Sequence, residues 1–383
     1  MEALAEELSH LNLARRSAMK DSSTYILDID VSKSVEEQNS QTVAILCSDK
    51  TIRLYNKETM ACLHEYNARP TVLSGVRFSH TNSNLVFSAC SDATVKLWDA
   101  RVSGTDAVQQ YTGYPSNVFI SFDVGSNDLV VCAGTEKVGD DVYLVFWDGR
   151  YTPDTESKEP LGVYSESHND DITQVRFHPT NPSLVATGST DGLVNVFDLN
   201  EDNEDDALTS TCNSESSVNI IGWAGRDDKQ VYCLTHSEGF LWWDLDQVDT
   251  EEPITLCKVE DMREHVSGCH IDYLIAGFYN RGRDALLLLG GTQDGDISLL
   301  NCNFEKVTHL KTLTGGHSTI VRSVYWCGDD DSLISGGEDA QLLLWKPKVK
   351  DMSPKKRDSK KAASSVQQRV RMHNTKSFLS KQK

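Results

Sequence analysis

The sequence predicts an all-β protein of seven repeated units, and three observations carry that prediction. First, one phrase recurs: a short apolar run, a turn containing Asp or Glu, three alternating apolar residues, then an aromatic and usually an acid. Its seven copies occupy residues 43–56, 86–99, 130–148, 184–198, 231–244, 286–301 and 332–345. Second, the aromatic slot holds Tyr55, Trp98, Trp147, Phe197, Trp243, Leu300 and Trp345, at intervals of 43, 49, 50, 46, 57 and 45 residues. Third, each copy places two period-two runs around a tight turn, such as Ser91-Asp92-Ala93-Thr94 or Thr190-Asp191-Gly192-Leu193. That arrangement is a hairpin signal.

Upstream runs at 75–78, 172–177 and 321–326 supply a further strand to several hairpins. A small sheet of this kind cannot bury both of its faces alone, and stacking the units around an axis gives each face a neighbour. A ring must also hide its last edge. After Trp345 the chain turns Lys-rich and offers no apolar strand, so the seventh unit lacks an outer strand. Leu11 and Leu13 alternate just ahead of a strand predicted at 24–30, so the segment at about 10–18 is expected to pair into the last unit and close the ring. The expected organisation is a short extension at 1–9, a ring over 10–346 and a basic tail over 347–383. The tail is rich in Lys, Ser and Gln, which cannot repay the entropy of ordering, and it is expected to be disordered.

These phrases resemble WD repeats across residues 24–346, and their spacing is the period of that family. The resemblance implies a seven-bladed β-propeller. It also implies a hydrogen-bonded tetrad in each blade, from a loop His through a strand Ser or Thr and a turn Asp to the core Trp. His317, Ser335, Asp339 and Trp345 match it in blade seven. In blade four His168, Thr187, Asp191 and Phe197 match, although Phe has no hydrogen to donate. Such buried networks fix a loop against its blade, so these residues are expected to be structural. Blades five and six depart from the pattern: Glu238 is expected in place of the turn Asp, and Leu300 replaces the aromatic.

Charge is unevenly distributed. From Lys346 to Lys383 there are 13 Lys and Arg against two Asp, a net of +11, so the preceding residues carry −31 of the total −20. A body of that sign repels nucleic-acid phosphates and attracts basic proteins. Nucleic acid is therefore expected to be contacted through the tail or not at all. The ten cysteines fall singly, mostly in apolar runs, with no CxxC pair, and read as reduced core residues. No apolar stretch is long enough for a membrane span, and the start is acidic where a secretion signal is basic. The expectation is a soluble intracellular protein.

The sequence shows no GxxxxGK loop, GxSxG elbow or HExxH pair, and the acidic runs at 201–206 and 329–331 lack the alternate-ligand spacing of a calcium loop. Neither an enzymatic activity nor a cofactor or metal is expected, and the acidic runs are expected to be solvated loops.

Three features point to partners. Lys355, Lys356, Arg357, Lys360 and Lys361, following Ser353-Pro354, resemble a nuclear import signal, which implies the nucleus, the nucleolus included, alongside the cytoplasm. The bland reading of this segment is a solubilising tail. Trp98-Asp99-Ala100-Arg101 and Trp147-Asp148-Gly149-Arg150 resemble the WDxR boxes with which substrate receptors of cullin-4 ubiquitin ligases dock on the ligase adaptor. The bland reading is an Arg opening a common blade turn. Acidic loops at 201–206, 249–252 and 329–331 are expected to crowd negative charge on the rim and so to suit basic clients such as ribosomal proteins or histones. Their bland reading is solubility. The function expected is a protein-interaction scaffold in ribosome or chromatin assembly, a monomer within larger complexes, with a ligase receptor as the alternative.

Overall fold

The computed structural model describes residues 8, 10–33, 41–68, 71–102, 106–112, 117–153, 155–246, 253–304 and 306–349. Its strands form seven sheets, one per repeated unit, each a blade. Blade one comprises Ile26–Val31, Thr42–Cys47, Thr51–Asn56 and Cys62–Asn67. Blade two comprises Leu73–Phe78, Leu85–Cys90, Thr94–Asp99 and Gln109–Thr112, and blade three Phe119–Val124, Val130–Thr135, Leu144–Asp148 and Gly162–Tyr164. Blade four is Gln174–Phe177, Leu184–Gly188, Leu193–Asp198 and Leu208–Asn213, and blade five Val218–Ala224, Gln230–Thr235, Phe240–Asp244 and Ile254–Val259. Blade six is Tyr273–Asn280, Ala285–Gly291, Ile297–Cys302 and Val307–Leu313. Blade seven takes Val321–Cys327, Ser332–Gly337 and Gln341–Pro347 from the end of the chain and its outermost strand, Leu11–Ala18, from the beginning. The first strand of every blade contacts those of both neighbours, and the cycle closes between blades seven and one. The protein is a seven-bladed β-propeller closed by an N-terminal strand.

Burial explains why the second and third strands read as continuous apolar runs. Leu85–Cys90, Ala285–Gly291 and Ser332–Gly337 are buried at every position, because neighbouring blades cover both faces. The outermost strands have fewer neighbours, and Cys62–Asn67 buries only Tyr66. The core is accordingly divided into seven clusters, each between two adjacent blades, rather than gathered into one. Close approach between blades needs a small residue at some rungs. A Cβ on Gly336 of blade seven would come 2.4 Å from Ile26 Cγ2 of blade one. Leu8, expected in an N-terminal extension, is buried in the cluster between blades six and seven.

The turn between the second and third strands carries a left-handed residue in all seven blades: Lys50, Ala93, Gly139, Gly192, Glu238, Gly295 and Ala340. This corrects the register expected in blade five. Leu234 pairs with Phe240 as Gly188 pairs with Val194, so Ser237 is the counterpart of Asp191 and Glu238 that of Gly192. Glu238 therefore does not replace the turn Asp. Its Oε2 accepts a hydrogen bond from the Leu274 amide of blade six at 2.5 Å.

Blade two departs from four strands. Ser157–Lys158, from the long connection inside blade three, adds in parallel to Gln109–Thr112, and the Gln109 amide reaches the Thr152 and Thr155 carbonyls at 3.2 and 2.8 Å. The exposed edge of blade two is thereby covered.

Candidate protein-interaction faces

The strand order gives the ring two unlike faces. One, the hairpin face, is built from the turns between second and third strands together with the links from each blade to the next. The other holds the remaining turns, the start of the closing strand at Leu11 and the end of the last strand at Pro347.

The tetrad residues lie at the hairpin face and hold its loops. In blade seven His317 Nδ1 lies 3.0 Å from Asp339, His317 Nε2 lies 2.8 Å from Ser335 Oγ, and Trp345 Nε1 donates to that Oγ at 2.9 Å. In blade four His168 bridges Asp191 at 3.0 Å and Thr187 Oγ1 at 2.7 Å, and the relay ends there because Phe197 has no donor. Burial raises the pKa of the Asp339 and Asp191 carboxyls, but the hydrogen bond and charge of His317 and His168, with backbone N–H donors, outweigh it and leave both below the usual range. Blade two keeps half of this device: Trp98 Nε1 donates to Ser88 Oγ at 2.9 Å.

The two WDxR boxes share one conformation on the opposite face. Arg101 donates from Nε and Nη2 to Asp99 at 2.9 and 2.6 Å, and Arg150 does the same to Asp148 at the same two distances. Each guanidinium is thus forked onto the Asp of its own box, yet the two side chains are 60% and 69% exposed. The fork from Arg150 brings the Asp148 carboxyl down to about 2 and lowers Asp99 likewise through Arg101. The two boxes end the third strands of consecutive blades, two and three, and so are neighbours on the ring. The Trp of each box is buried and belongs to the core rather than the surface.

The acidic runs need correction, because much of their charge is committed to holding the ring. Asp330 pairs with Lys57 of blade one at 3.0 Å and with Lys346 at 3.4 Å, and Asp331 pairs with Arg283 of blade six at 2.8 Å. In the other run Glu204 accepts from the Ser165, Glu166 and Ser167 amides at 2.8 to 2.9 Å, and Asn203 caps a single helical turn, Glu204–Ala207. Glu201, Asp202 and Asp205 remain exposed without an ion pair among the described residues. Residues 249–252, the tail residues Lys355, Lys356, Arg357, Lys360 and Lys361, and Ser353 lie outside the described residues.

Uncompensated charge is present on both faces: Asp106, Glu201, Asp202, Asp205 and Asp227 lie on the face opposite the hairpins, and further carboxylates lie on the hairpin face. Asp140, Asp141, Glu166, Glu264 and Asp294 are exposed there and make no ion pair among the described residues. Among those residues no His, Cys, Asp or Glu group could hold a metal ion, and no helix is long and apolar enough to cross a membrane.

Sequence reasoning missed a girdle of aspartates. Asp128, Asp228, Asp284 and Asp331 each end the turn between first and second strands in a left-handed conformation, with φ of 52–59°. Each reaches a neighbouring blade: Asp128 accepts from the His80 and Thr81 amides at 2.8 Å, Asp284 from Arg226 at 2.9 Å, and Asp228 from Arg281. The signal was present, an Asp just before the second strand in four blades.

A family model described as WD domain, G-beta repeat matches residues 60–99, 158–198 and 307–346. The chain is 26% identical over 332 residues to a WD repeat-containing protein 89 homolog of Dictyostelium discoideum, covering 85% of this chain and 83% of that one. It is 29% identical over 322 residues to the WD repeat-containing protein GTS1 of Arabidopsis thaliana, covering 79% and 78%. An uncharacterized WD repeat-containing protein of Saccharomyces cerevisiae is 31% identical over 312 residues, covering 79% and 75%.

Proposed function

The chain belongs to the WD-repeat family, and we propose that its ring is a scaffold whose hairpin face receives basic protein clients in the nucleus, of the kind handled in ribosome or chromatin assembly. The observation that carries this reading is the set of hairpin-face turns whose carboxylates face solvent unpaired among the described residues, unlike those of the seams between blades. Carboxylates on the inter-blade seams are neutralised by Arg and Lys, whereas Asp140, Asp141, Glu166, Glu264 and Asp294 face solvent without a partner cation among the described residues. Unneutralised charge of one sign attracts the opposite sign over about 10 Å at 0.1 M salt. It thereby raises the rate of encounter with Lys- and Arg-rich proteins. The ring offers these carboxylates on rigid turns, so little ordering entropy is lost when a client docks. Catalysis has no part in this reading. The test is capture of purified basic proteins, a core histone and a ribosomal protein, by the full chain across a salt series. Binding that ignores salt would remove the reading.

A second reading is favoured by one observation: the Arg101 and Arg150 boxes sit on consecutive blades, identically folded and exposed on the face opposite the hairpins. In it the ring is a substrate receptor that docks on a cullin-4 ligase adaptor through those arginines and leaves the hairpin face for the substrate. The free edge of each guanidinium can still donate to a partner's acceptor.

A further inference from the structure

We propose that the central channel binds an oxyanion, a carboxylate or phosphate group, at Arg176 between blades four and five. The channel is a cavity of about 1030 Å³ lined by the first strands of the blades. At one level of it equivalent rungs of four consecutive blades carry Asp30, Arg77, Asp123 and Arg176, opposite Ala44, Phe87, Cys132 and Ala186 in their ladders. Charge alternates around this half of the ring, but the two arginines are not equally served.

Arg77 has acids on both sides. Its Nη1 lies 2.7 Å from Asp28 Oδ2 and its Nε 3.7 Å from Asp123 Oδ1. Asp123 uses its other oxygen to accept the Phe177 amide of blade four at 2.8 Å. Both oxygens of Asp123 are then engaged, and no carboxylate lies within ion-pair distance of Arg176 among the described residues. The hydrogen bond Arg176 makes is a long one, 3.4 Å to the carbonyl of its own neighbour Val175.

On its other flank the equivalent rung of blade five is Gly222, opposite Tyr232, and offers no side chain. A Cβ there would come 2.4 Å from the Tyr232 hydroxyl, which fills the space behind and donates to the Gly277 carbonyl. Arg176, Gly222 and Tyr232 all line the channel. Gln174, two residues earlier on the same face of the strand, also lines the channel, and its buried Oε1 has no hydrogen-bond partner among the described residues. Its amide can add an N–H donor to the guanidinium fork. Burial, followed by repulsion from Arg77, pulls the Arg176 pKa below its usual value, with Asp123 and Asp28 opposing. Arginine does not lose its proton to relieve such a cost, and an anion held beside it in the channel would offset it.

The site lies inside the channel and does not depend on the client reading, so either can fail alone. The test uses the purified full chain, with inorganic phosphate and glutarate as separate probes at constant ionic strength, read by thermal shift and titration calorimetry. Wild type should show saturable binding of at least one probe, and the stronger arm identifies a phosphate or a carboxylate source. Arg176→Gln should weaken it by at least about tenfold, as loss of charge-assisted hydrogen bonds does. Gln174→Glu supplies a carboxylate beside Arg176 from the chain itself. It should raise the melting temperature without added anion and lose the response to the probe, and it carries the test if Arg176→Gln does not fold. No saturable binding of either probe, or equal responses in wild type and Gln174→Glu, would overturn the proposal.

Discussion

Leu13 lies directly across the closing ladder from Trp345, the aromatic of the seventh repeat. The strand that seals the ring is thus registered on the residue that ends the last hairpin. Leu11 and Leu13 are each 1% exposed and join the cluster between blades six and seven, while Arg15 between the same strands faces solvent. Leu13→Ala should therefore lower the unfolding free energy by about 2–5 kcal/mol, as buried Leu truncations do. Arg15→Ala should change it by less than about 0.5 kcal/mol. Urea unfolding of both variants checks the contrast, and equal costs would mean that the strand does not seal the ring.

The tetrads of blades four and seven make a natural comparison. Blade four already operates with Phe197 in place of the Trp, so Trp345→Phe should remove one hydrogen bond and cost about 1 kcal/mol. Ser335→Ala leaves both His317 Nε2 and Trp345 Nε1 without their shared partner, and should cost about 2–4 kcal/mol. A larger loss from Trp345→Phe than from Ser335→Ala would show that ring packing, not the relay, governs this site.

The depressed Asp339 carboxyl gives the relay a pH signature. Its folded pKa lies below the unfolded value of about 3.9. Its contribution is therefore complete above that value and is lost as pH falls through the folded pKa. Asp339→Asn should be less stable than wild type at pH 7, and the gap in urea midpoint should shrink below about pH 4. A gap that stays constant with pH would assign the loss to shape rather than charge.

Charge reversal of Arg101 together with Arg150 addresses the receptor reading. Among the described residues each arginine is paired only with the Asp two residues before it, and each is mostly exposed, so the melting temperature should change little. Recovery of the ligase adaptor from cells should be abolished. Recovery at the wild-type level removes that reading.

Replacing Lys355, Lys356, Arg357, Lys360 and Lys361 by Ala should move a tagged full-length protein toward the cytoplasm. Undiminished nuclear accumulation would dismiss the tail as an import signal.

The hairpins were legible in the sequence because both of their strands are buried on both faces, and continuous apolar runs ending in an aromatic leave little freedom of placement. The closing strand was legible for a related reason: the seventh unit lacked a partner, and Leu11 and Leu13 were the alternating pair nearest the start. Position in the hairpin turn was less visible. The left-handed slot is filled by Gly192 in blade four but by Lys50, Ala93 and Ala340 elsewhere, so the Glu238-Gly239 pair invited a shift by one residue. The seam ion pairs were hidden because they join turns far apart in sequence, as Asp331 with Arg283 and Asp330 with Lys57. Part of each acidic run holds blades together, as Glu204, Asp330 and Asp331 do, while Glu201, Asp202 and Asp205 stay solvated and further available charge lies in shorter turns of the hairpin face. Arg176 could not be distinguished from Arg77 by sequence, since the difference lies in which neighbour supplies a carboxylate.

The proposed function rests on attraction of basic proteins by the unpaired carboxylates of the hairpin face. It is tested most directly by calorimetric titration of a core histone into wild type and into a variant carrying Asp140→Asn, Asp141→Asn, Glu166→Gln, Glu264→Gln and Asp294→Asn. Wild-type binding is expected to weaken at least about tenfold between 0.1 and 0.5 M salt, and the variant to bind weakly at both while melting at the wild-type temperature. Equal affinity of the two proteins at low salt would contradict it.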